Sequence, residues 1–214
     1  MSLRFQYMSG LFGQFQRVKN IGADILCLLG DIGNPYKKTT RDFLQFCSKE
    51  WKQVYWVIGE MENTSINVGS QQECIEHIEE QIRAICPNNC KLMKNSVEGV
   101  GNCIILGTSL WNADKEYKFL HLPAGHHTPK RLMPWEMKNL AEYNRRWITG
   151  NMEELSEHFP TNKIIFLSYS QPEINLVDSL NPTMWLYGIG NNNQIIDHRT
   201  CHNYGNRFGQ LRII

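Results

Sequence analysis

The chain has 214 residues, of which 42% are hydrophobic and 20% are charged, and its formal net charge is +1 at pH 7. A chain of this size and composition can bury a substantial core, so it is not disordered, and we expect one domain over residues 1–214. The balanced charge gives no indication of nucleic-acid binding, and no apolar run is long enough to span a bilayer.

The first half of the chain alternates between strand-like and helix-like segments. Short apolar or β-branched runs indicate buried strands, whereas apolar residues spaced three or four apart indicate helices. The predicted strands are Leu3 to Met8, Ala23 to Leu29 and Val54 to Ile58. The predicted helices follow the first strand through Phe15 and Val18, and then occupy Thr40 to Trp51 and Ser70 to Ile85.

The second half continues the alternation with shorter segments. Strands are predicted at Cys103 to Leu106, Ile164 to Leu167, Thr183 to Tyr187 and Gln194 to Asp197, and helices at Trp135 to Ile148 and Met152 to His158. Residues 115–134 contain several proline residues and no regular period, which predicts a long loop or cap. Residues 204–214 form a C-terminal tail. Trp135, Trp147 and Trp185 are expected in the core rather than as ligand-stacking residues.

Several predicted strands end in polar or glycine-rich turns, which is where open α/β sheets place their chemistry. Six such segments occur in order along the chain. They are Phe5-Gln6-Tyr7-Met8-Ser9-Gly10-Leu11-Phe12, Leu28-Leu29-Gly30-Asp31-Ile32, Val57-Ile58-Gly59-Glu60-Met61-Glu62, Gly107-Thr108-Ser109-Leu110-Trp111, Phe166-Leu167-Ser168-Tyr169-Ser170-Gln171-Pro172 and Trp185-Leu186-Tyr187-Gly188-Ile189-Gly190-Asn191. In this order they resemble the motifs of the calcineurin-like metallophosphoesterases, especially the small single-domain bacterial type.

The resemblance implies a four-layer α/β/β/α sandwich of two mixed sheets flanked by helices. It also implies a set of positions that hold two divalent metals in active relatives. The Asp and His of the first motif correspond here to Gly10 and Phe12, and the bridging Asp to Asp31. The Asn-His pair corresponds to Glu60 and Met61, the next histidine ligand to Tyr169, and the last two to Ile189 and Asn191.

Most of these replacements cannot bind a hard divalent cation. Phe12, Met61 and Ile189 offer no hard lone pair, and Asp31 is the one ligand retained from the family. We therefore expect no bound metal, no other cofactor and no catalytic residue, because a two-metal reaction loses both its activated water and its charge clamp. Phe12, Met61 and Ile189 are expected to pack together as an apolar plug. Asp31 is expected to cap a strand end, and Tyr169 and Glu60 to hydrogen-bond within the former metal cleft.

These expectations favour a degenerate enzyme that acts as a scaffold or a component of a larger assembly with protein partners. One alternative is a non-catalytic module that binds phosphate or a nucleotide, and another is a residual metal-dependent phosphoesterase. The predicted interface residues lie in the 115–134 segment, which could instead simply cover a sheet edge, and in the tail. They are Phe119, Leu120, Leu122, Leu132, Phe208, Leu211, Ile213 and Ile214.

The seven cysteines are informative about the cellular compartment of the chain and not about a functional site. Their number is odd, and Cys27 and Cys103 lie within apolar strand-like runs, where cysteine is usually a small buried hydrophobic residue. Reduced thiols are therefore expected, which places the chain in the cytoplasm or another reducing compartment. The high asparagine and isoleucine content is typical of an AT-rich genome such as some viruses have, so a virion component is an alternative.

Overall fold

The computed structural model describes residues 3–64, 76, 79–80, 82–84, 88–114, 133–189, 200–202 and 210–213. Ten strands lie within these ranges: β1 (Arg4–Met8), β2 (Ile25–Leu29), β3 (Gln53–Val57), β4 (Cys90–Leu92), β5 (Ser96–Val100), β6 (Cys103–Thr108), β7 (Lys163–Ser170), β8 (Met184–Ile189), β9 (Thr200–His202) and β10 (Gln210–Ile213). The helices with described bounds are α1 (Lys38–Glu50), α2 (Glu60–Thr64), α3 (Pro134–His158) and α4 (Ile174–Leu180).

The strands form two mixed sheets of five strands each. The first sheet has the order β10-β1-β2-β3-β4, and the second has the order β5-β6-β7-β8-β9. Strand β10 runs antiparallel to β1 and β5 runs antiparallel to β6, whereas the other neighbouring strands are parallel. Parallel strands have their carboxyl ends at one edge of the sheet, so the turns that follow them are brought together.

The two sheets pack face to face and carry helices on their outer faces. Between them lies an apolar cluster that takes Tyr7 and Cys27 from the first sheet and Ile105 and Leu167 from the second. On the outside, α1 covers the first sheet and α3 and α4 cover the second. This arrangement is the predicted four-layer α/β/β/α sandwich.

Alternating side chains explain why both faces of each sheet are apolar. All five residues of β2 are buried, because its odd and even positions face different layers. In the second sheet, Phe166 of β7 stacks on Trp185 of β8 with ring centroids 4.5 Å apart, on the helix-covered face. A strand buried on both faces reads as a continuous apolar run, which is why the central strands were predictable.

One long helix replaces the two that were predicted between Trp135 and His158. The two predicted helices leave a gap at residues 149–151, which include Gly150, but α3 continues through it because Ile148, Met152 and Leu155 share the face that packs on the second sheet. Tertiary burial here outweighs the weak helix propensity of glycine. The expectation that Trp135 is buried is also wrong, since its side chain is 63% exposed near the start of α3.

Other differences involve short or irregular segments. The chain after β1 forms turns in place of the predicted helix through Phe15 and Val18, because Gly10, Phe12 and Gly13 all have positive φ angles. Strands β4, β5, β9 and β10 and helices α2 and α4 were not predicted. Within the predicted helix of residues 70–85, residues 76, 79–80 and 82–84 are helical, and the others lie outside the described ranges, as do residues 115–132 and 194–197.

Candidate functional site

The strand ends of both sheets meet at one rim of the sandwich. The backbone N–H of Gly10 donates to the carbonyl of Gly30 at 3.1 Å, which joins the turns after β1 and β2. The Ser9 hydroxyl donates to the carbonyl of Gly188 in β8 at 2.9 Å. A Cβ on Gly188 would lie 1.9 Å from the carbonyl oxygen of Leu29, so only glycine permits the two sheets to approach here.

Asp31 stands at the centre of this rim, immediately after β2. Its φ angle of 53° lies in the left-handed region, which turns the carboxylate toward the turn after β3 and toward the end of β7. One carboxylate oxygen accepts from the Tyr169 hydroxyl at 2.9 Å, and the other accepts from the backbone N–H of Met61 at 2.8 Å. These contacts, with that of the Gly10 backbone, bring Gly10, Asp31, Met61 and Tyr169 to the same rim.

Tyr169 fills the space between the two sheets at this rim. Its ring lies so close to the chain that a Cβ on Gly30 or Gly59 would come within 2.3 Å or 2.7 Å of it. It also makes an edge contact with Trp111, with ring centroids 5.4 Å apart. Burial and the neighbouring Asp31 carboxylate raise the pKa of Tyr169, so the phenol keeps its proton and remains a donor to Asp31.

Glu62 is a buried residue of this rim whose contacts the sequence did not predict. Its side chain is fully buried, and its carboxylate accepts the backbone N–H groups of residues 31, 32, 33 and 59 at 2.7–3.1 Å. It therefore fastens the turn after β2 to the turn after β3. Burial, with a further contribution from the charge of Asp31, raises the pKa of Glu62 to about 7, although the four donors favour its charged form. The feature of the sequence that points to Glu62 is its position as the last residue of the Gly59-Glu60-Met61-Glu62 motif.

The predicted apolar plug is wrong at Phe12. This side chain is 50% exposed, and it has a positive φ angle of 48° that costs a non-glycine residue on the order of 1 kcal/mol. Its backbone N–H donates to the carbonyl of Asp31 at 2.9 Å, so the strained turn is held to β2. Met61 is partly buried, Ile189 ends β8 and Asn191 lies outside the described ranges. The half-exposed ring of Phe12 is therefore not enclosed in a buried apolar cluster.

The chemistry of the described donors does not fit a two-metal centre. Both oxygens of Asp31 already accept hydrogen bonds from protein groups, and the side chain that donates to it is the buried phenol of Tyr169 rather than an imidazole. Glu60 is partly buried at the rim. Across the described residues, no three His, Cys, Asp or Glu side chains group closely enough to hold a metal ion.

The predicted interface residues are placed only in part. Leu211 and Ile213 lie in β10, where they are paired with Gln6 and Arg4 of β1, so this stretch of the tail forms an edge strand of the first sheet. The other six predicted interface residues lie outside the described ranges. Among the helical residues that the structure describes, none forms a helix of the length and hydrophobicity needed to cross a membrane.

Comparison with known proteins identifies relatives of the fold. No family model matches the chain. An uncharacterized protein of Acanthamoeba polyphaga mimivirus, L509, is 30% identical over an alignment of 155 residues that covers 69% of this chain and 55% of that protein. The chain thus spans about half the length of this curated relative.

Solved structures resemble the whole sandwich at low identity. The crystal structure of the phosphopantetheinyl hydrolase PptH from Mycobacterium tuberculosis has a TM-score of 0.54 and 12% identity, covering 87% of this chain and 82% of that protein. A second solved structure has a TM-score of 0.52 and 11% identity over 98% of this chain and 89% of its own length. The chain therefore has the fold of a known hydrolase and a sequence relative in a mimivirus.

Proposed function

We propose that this chain is a catalytically degenerate member of the calcineurin-like metallophosphoesterases that acts as a component of a protein assembly. In this proposal it binds no metal and turns over no phosphoester. It works in the cytoplasm, another reducing compartment or a virion. The single observation that carries the proposal is the hydrogen bond from the buried Tyr169 hydroxyl to Asp31, the one acidic ligand position kept from the family.

The Tyr169–Asp31 pair argues against a residual metal site on energetic grounds. A metal at Asp31 would have to displace a charge-assisted hydrogen bond, which is worth about 1.5–3 kcal/mol, and would leave the phenol without that acceptor. It would gain few compensating donors, because glycine, phenylalanine and methionine occupy the corresponding positions at 10, 12 and 61. A divalent cation held by so few ligands cannot recover its dehydration cost.

The rigid parts of the fold support a role in binding another protein. The fold retains a dense core, and Glu62 still holds the strand-end turns in fixed positions although the metal ligands are replaced. Such a molecule offers a rigid surface, which reduces the entropy cost of binding another protein. The mimivirus relative makes a viral assembly a reasonable setting for that surface.

Elemental analysis and turnover measurements test this proposal. We expect purified protein to contain well below one equivalent of manganese, iron, zinc or nickel. We also expect no hydrolysis of bis(p-nitrophenyl) phosphate above background, with or without added Mn²⁺. Tyr169→His alone should not restore activity, because ligands of one centre act as a unit. About two metals per chain with chelator-sensitive turnover would overturn the proposal, and a rise in Tm with nucleotides alone would favour a ligand-binding module.

A further inference from the structure

A groove beside the rim lies between the turn-rich segment 13–18 and helix α1. Its cavity volume is about 380 Å³, which is within the range of pockets that take a small ligand or a single large side chain. The lining residues are Gly13, Phe15, Gln16, Val18, Thr39, Asp42, Phe43 and Phe46.

The walls of the groove are fixed by the same turns that build the rim. The backbone N–H of Gly13 donates to the carbonyl of Ile32 at 2.8 Å, so the segment is tied to the turn after β2. Phe15 stacks flat on Phe43 of α1, with ring centroids 4.1 Å apart and planes 3° from parallel. A Cβ on Gly33 would lie 3.2 Å from the Phe15 ring, so glycine permits this close packing. The groove is therefore formed before any ligand arrives.

The lining combines aromatic rings with one carboxylate. Phe15 and Phe46 are only half-buried, so parts of both rings remain accessible, and Asp42 stands exposed beside them on α1. Aromatic faces attract cations through the negative potential of the ring, and arginine in particular stacks on them. An apolar recess with rings and a carboxylate is thus complementary to a cationic group on an apolar stem.

The Asp42 carboxylate already pairs with a cation of the same helix. The Lys38 ammonium lies 2.6 Å from the Asp42 carboxylate, one helical turn away. Their side chains are 80% and 55% exposed, and exposed pairs of this spacing contribute only about 0.3–0.5 kcal/mol. A cation from another molecule can therefore replace Lys38 at little cost.

We propose that this groove binds an arginine side chain presented by a partner protein. Arginine supplies both required features, because its stem packs on Phe15 and Phe46 while its planar guanidinium pairs with Asp42 and stacks on a ring. The inference rests on the proposed interaction role, which supplies the partner.

The test uses three fluorescein-labelled decapeptides and the full chain. The first peptide has a central Leu-Arg-Leu in a Gly/Ser background, the second has citrulline in place of arginine, and the third has glutamate. Free argininamide, followed by NMR shifts of the amides of residues 13–18 and 38–46, distinguishes a small organic cation from a peptide. We expect the arginine peptide to bind at least fivefold more tightly than the citrulline peptide, and argininamide to bind weakly at the same amides.

Three substitutions assign the effect to the groove. Asp42→Asn should weaken the arginine peptide about three- to fivefold and leave the citrulline peptide unchanged. Lys38→Ala should strengthen binding of the arginine peptide about twofold, because it removes the cation that competes for Asp42. A substitution that only disturbed the structure of the groove would not strengthen binding. Asp178→Asn, on the exposed face of α4, is the matched control and should change nothing.

The outcomes separate this inference from the proposed function. Equal binding of the arginine and citrulline peptides, or equal binding by wild type and Asp42→Asn, overturns the groove assignment. The same holds if argininamide binds as tightly as the peptide, because the site then serves a free organic cation. Metal-dependent turnover overturns the proposed function and leaves these peptide results unaffected.

Discussion

At the residue scale, two buried contacts define the rim: the hydroxyl of Tyr169 on Asp31, and the carboxylate of Glu62 on four backbone N–H groups. The sequence predicted that Tyr169 hydrogen-bonds within the cleft, because its position matches a family ligand and its side chain has a donor. It did not reveal Glu62, because the partners of that carboxylate are backbone groups, which carry no side-chain pattern. The sequence also did not predict the left-handed backbone conformation of Phe12, because a turn held by backbone hydrogen bonds leaves no side-chain pattern.

Removing the Tyr169 hydroxyl tests the first contact. Tyr169→Phe keeps the ring between the sheets but takes one donor from Asp31, so we expect the free energy of unfolding to fall by about 1.5–3 kcal/mol. Urea denaturation followed by circular dichroism measures the change. Tyr143→Phe is the control, because Tyr143 is exposed on α3, and it should alter stability by less than about 0.5 kcal/mol. Equal effects of the two changes would contradict the role of the Tyr169–Asp31 contact.

The second contact predicts a pH dependence of stability. Burial raises the pKa of Glu62 from 4.5 to about 7 in the folded chain, so the folded state holds this proton more tightly than the unfolded state. The stabilising contribution of Glu62 protonation is complete below about pH 4.5 and is lost as the pH rises through about 7. Over this window the free energy of unfolding should fall by on the order of 3 kcal/mol. Urea denaturation from pH 4.5 to 8 should show this decline in wild type.

Glu62→Gln is the comparison, because it cannot titrate. The stability difference between wild type and Glu62→Gln should narrow as the pH rises through this window, since other titrating groups cancel between the two proteins. Parallel curves for wild type and Glu62→Gln would show that Glu62 does not titrate differently in the folded and unfolded states.

At the element scale, burial determines which segments the sequence could predict. The central strands β1, β2, β3, β6, β7 and β8 were each predicted in place, because continuous apolar runs bounded by turns are a strong signal. Strand β5 has alternating exposed and half-buried residues and β4 has only three, so neither gives such a signal. The pairing of β10 with β1 joins the two ends of the described chain, and no local pattern encodes a contact of that separation.

Helix α3 gives a prediction at this scale. Gly150 is exposed in its interior, and a Cβ there would meet no atom within 4 Å. Gly150→Ala should therefore raise the free energy of unfolding by about 0.5–1 kcal/mol, because alanine loses less backbone entropy and has the higher helix propensity. Thermal unfolding should show the gain as a rise in Tm. Gly188→Ala is the contrasting change and should strongly destabilise the chain, since its Cβ would overlap the Leu29 carbonyl.

At the scale of the whole molecule, the sequence predicted the architecture, whereas the surface that binds a partner stays a prediction. Because β10 lies in the C-terminal tail, deletion of the tail is not a clean test of whether it binds a partner protein. Deletion of residues 209–214 would remove a strand that pairs with β1, so loss of a partner could then reflect loss of stability. Substitutions in the 115–134 segment provide the cleaner test.

Replacing Phe119, Leu120, Leu122 and Leu132 by serine should leave circular dichroism and the urea midpoint close to wild type while abolishing co-purification with the native partner. An apolar segment rimmed by basic residues suits an interface, and its loss removes the buried contacts on which affinity depends. The comparison variant replaces the exposed Trp135, Tyr143, Phe159 and Ile174 by serine and should retain the partner. If that comparison variant alone loses the partner, the interface lies on the helices of the second sheet. If wild type purifies as a lone monomer, the assembly role itself is wrong.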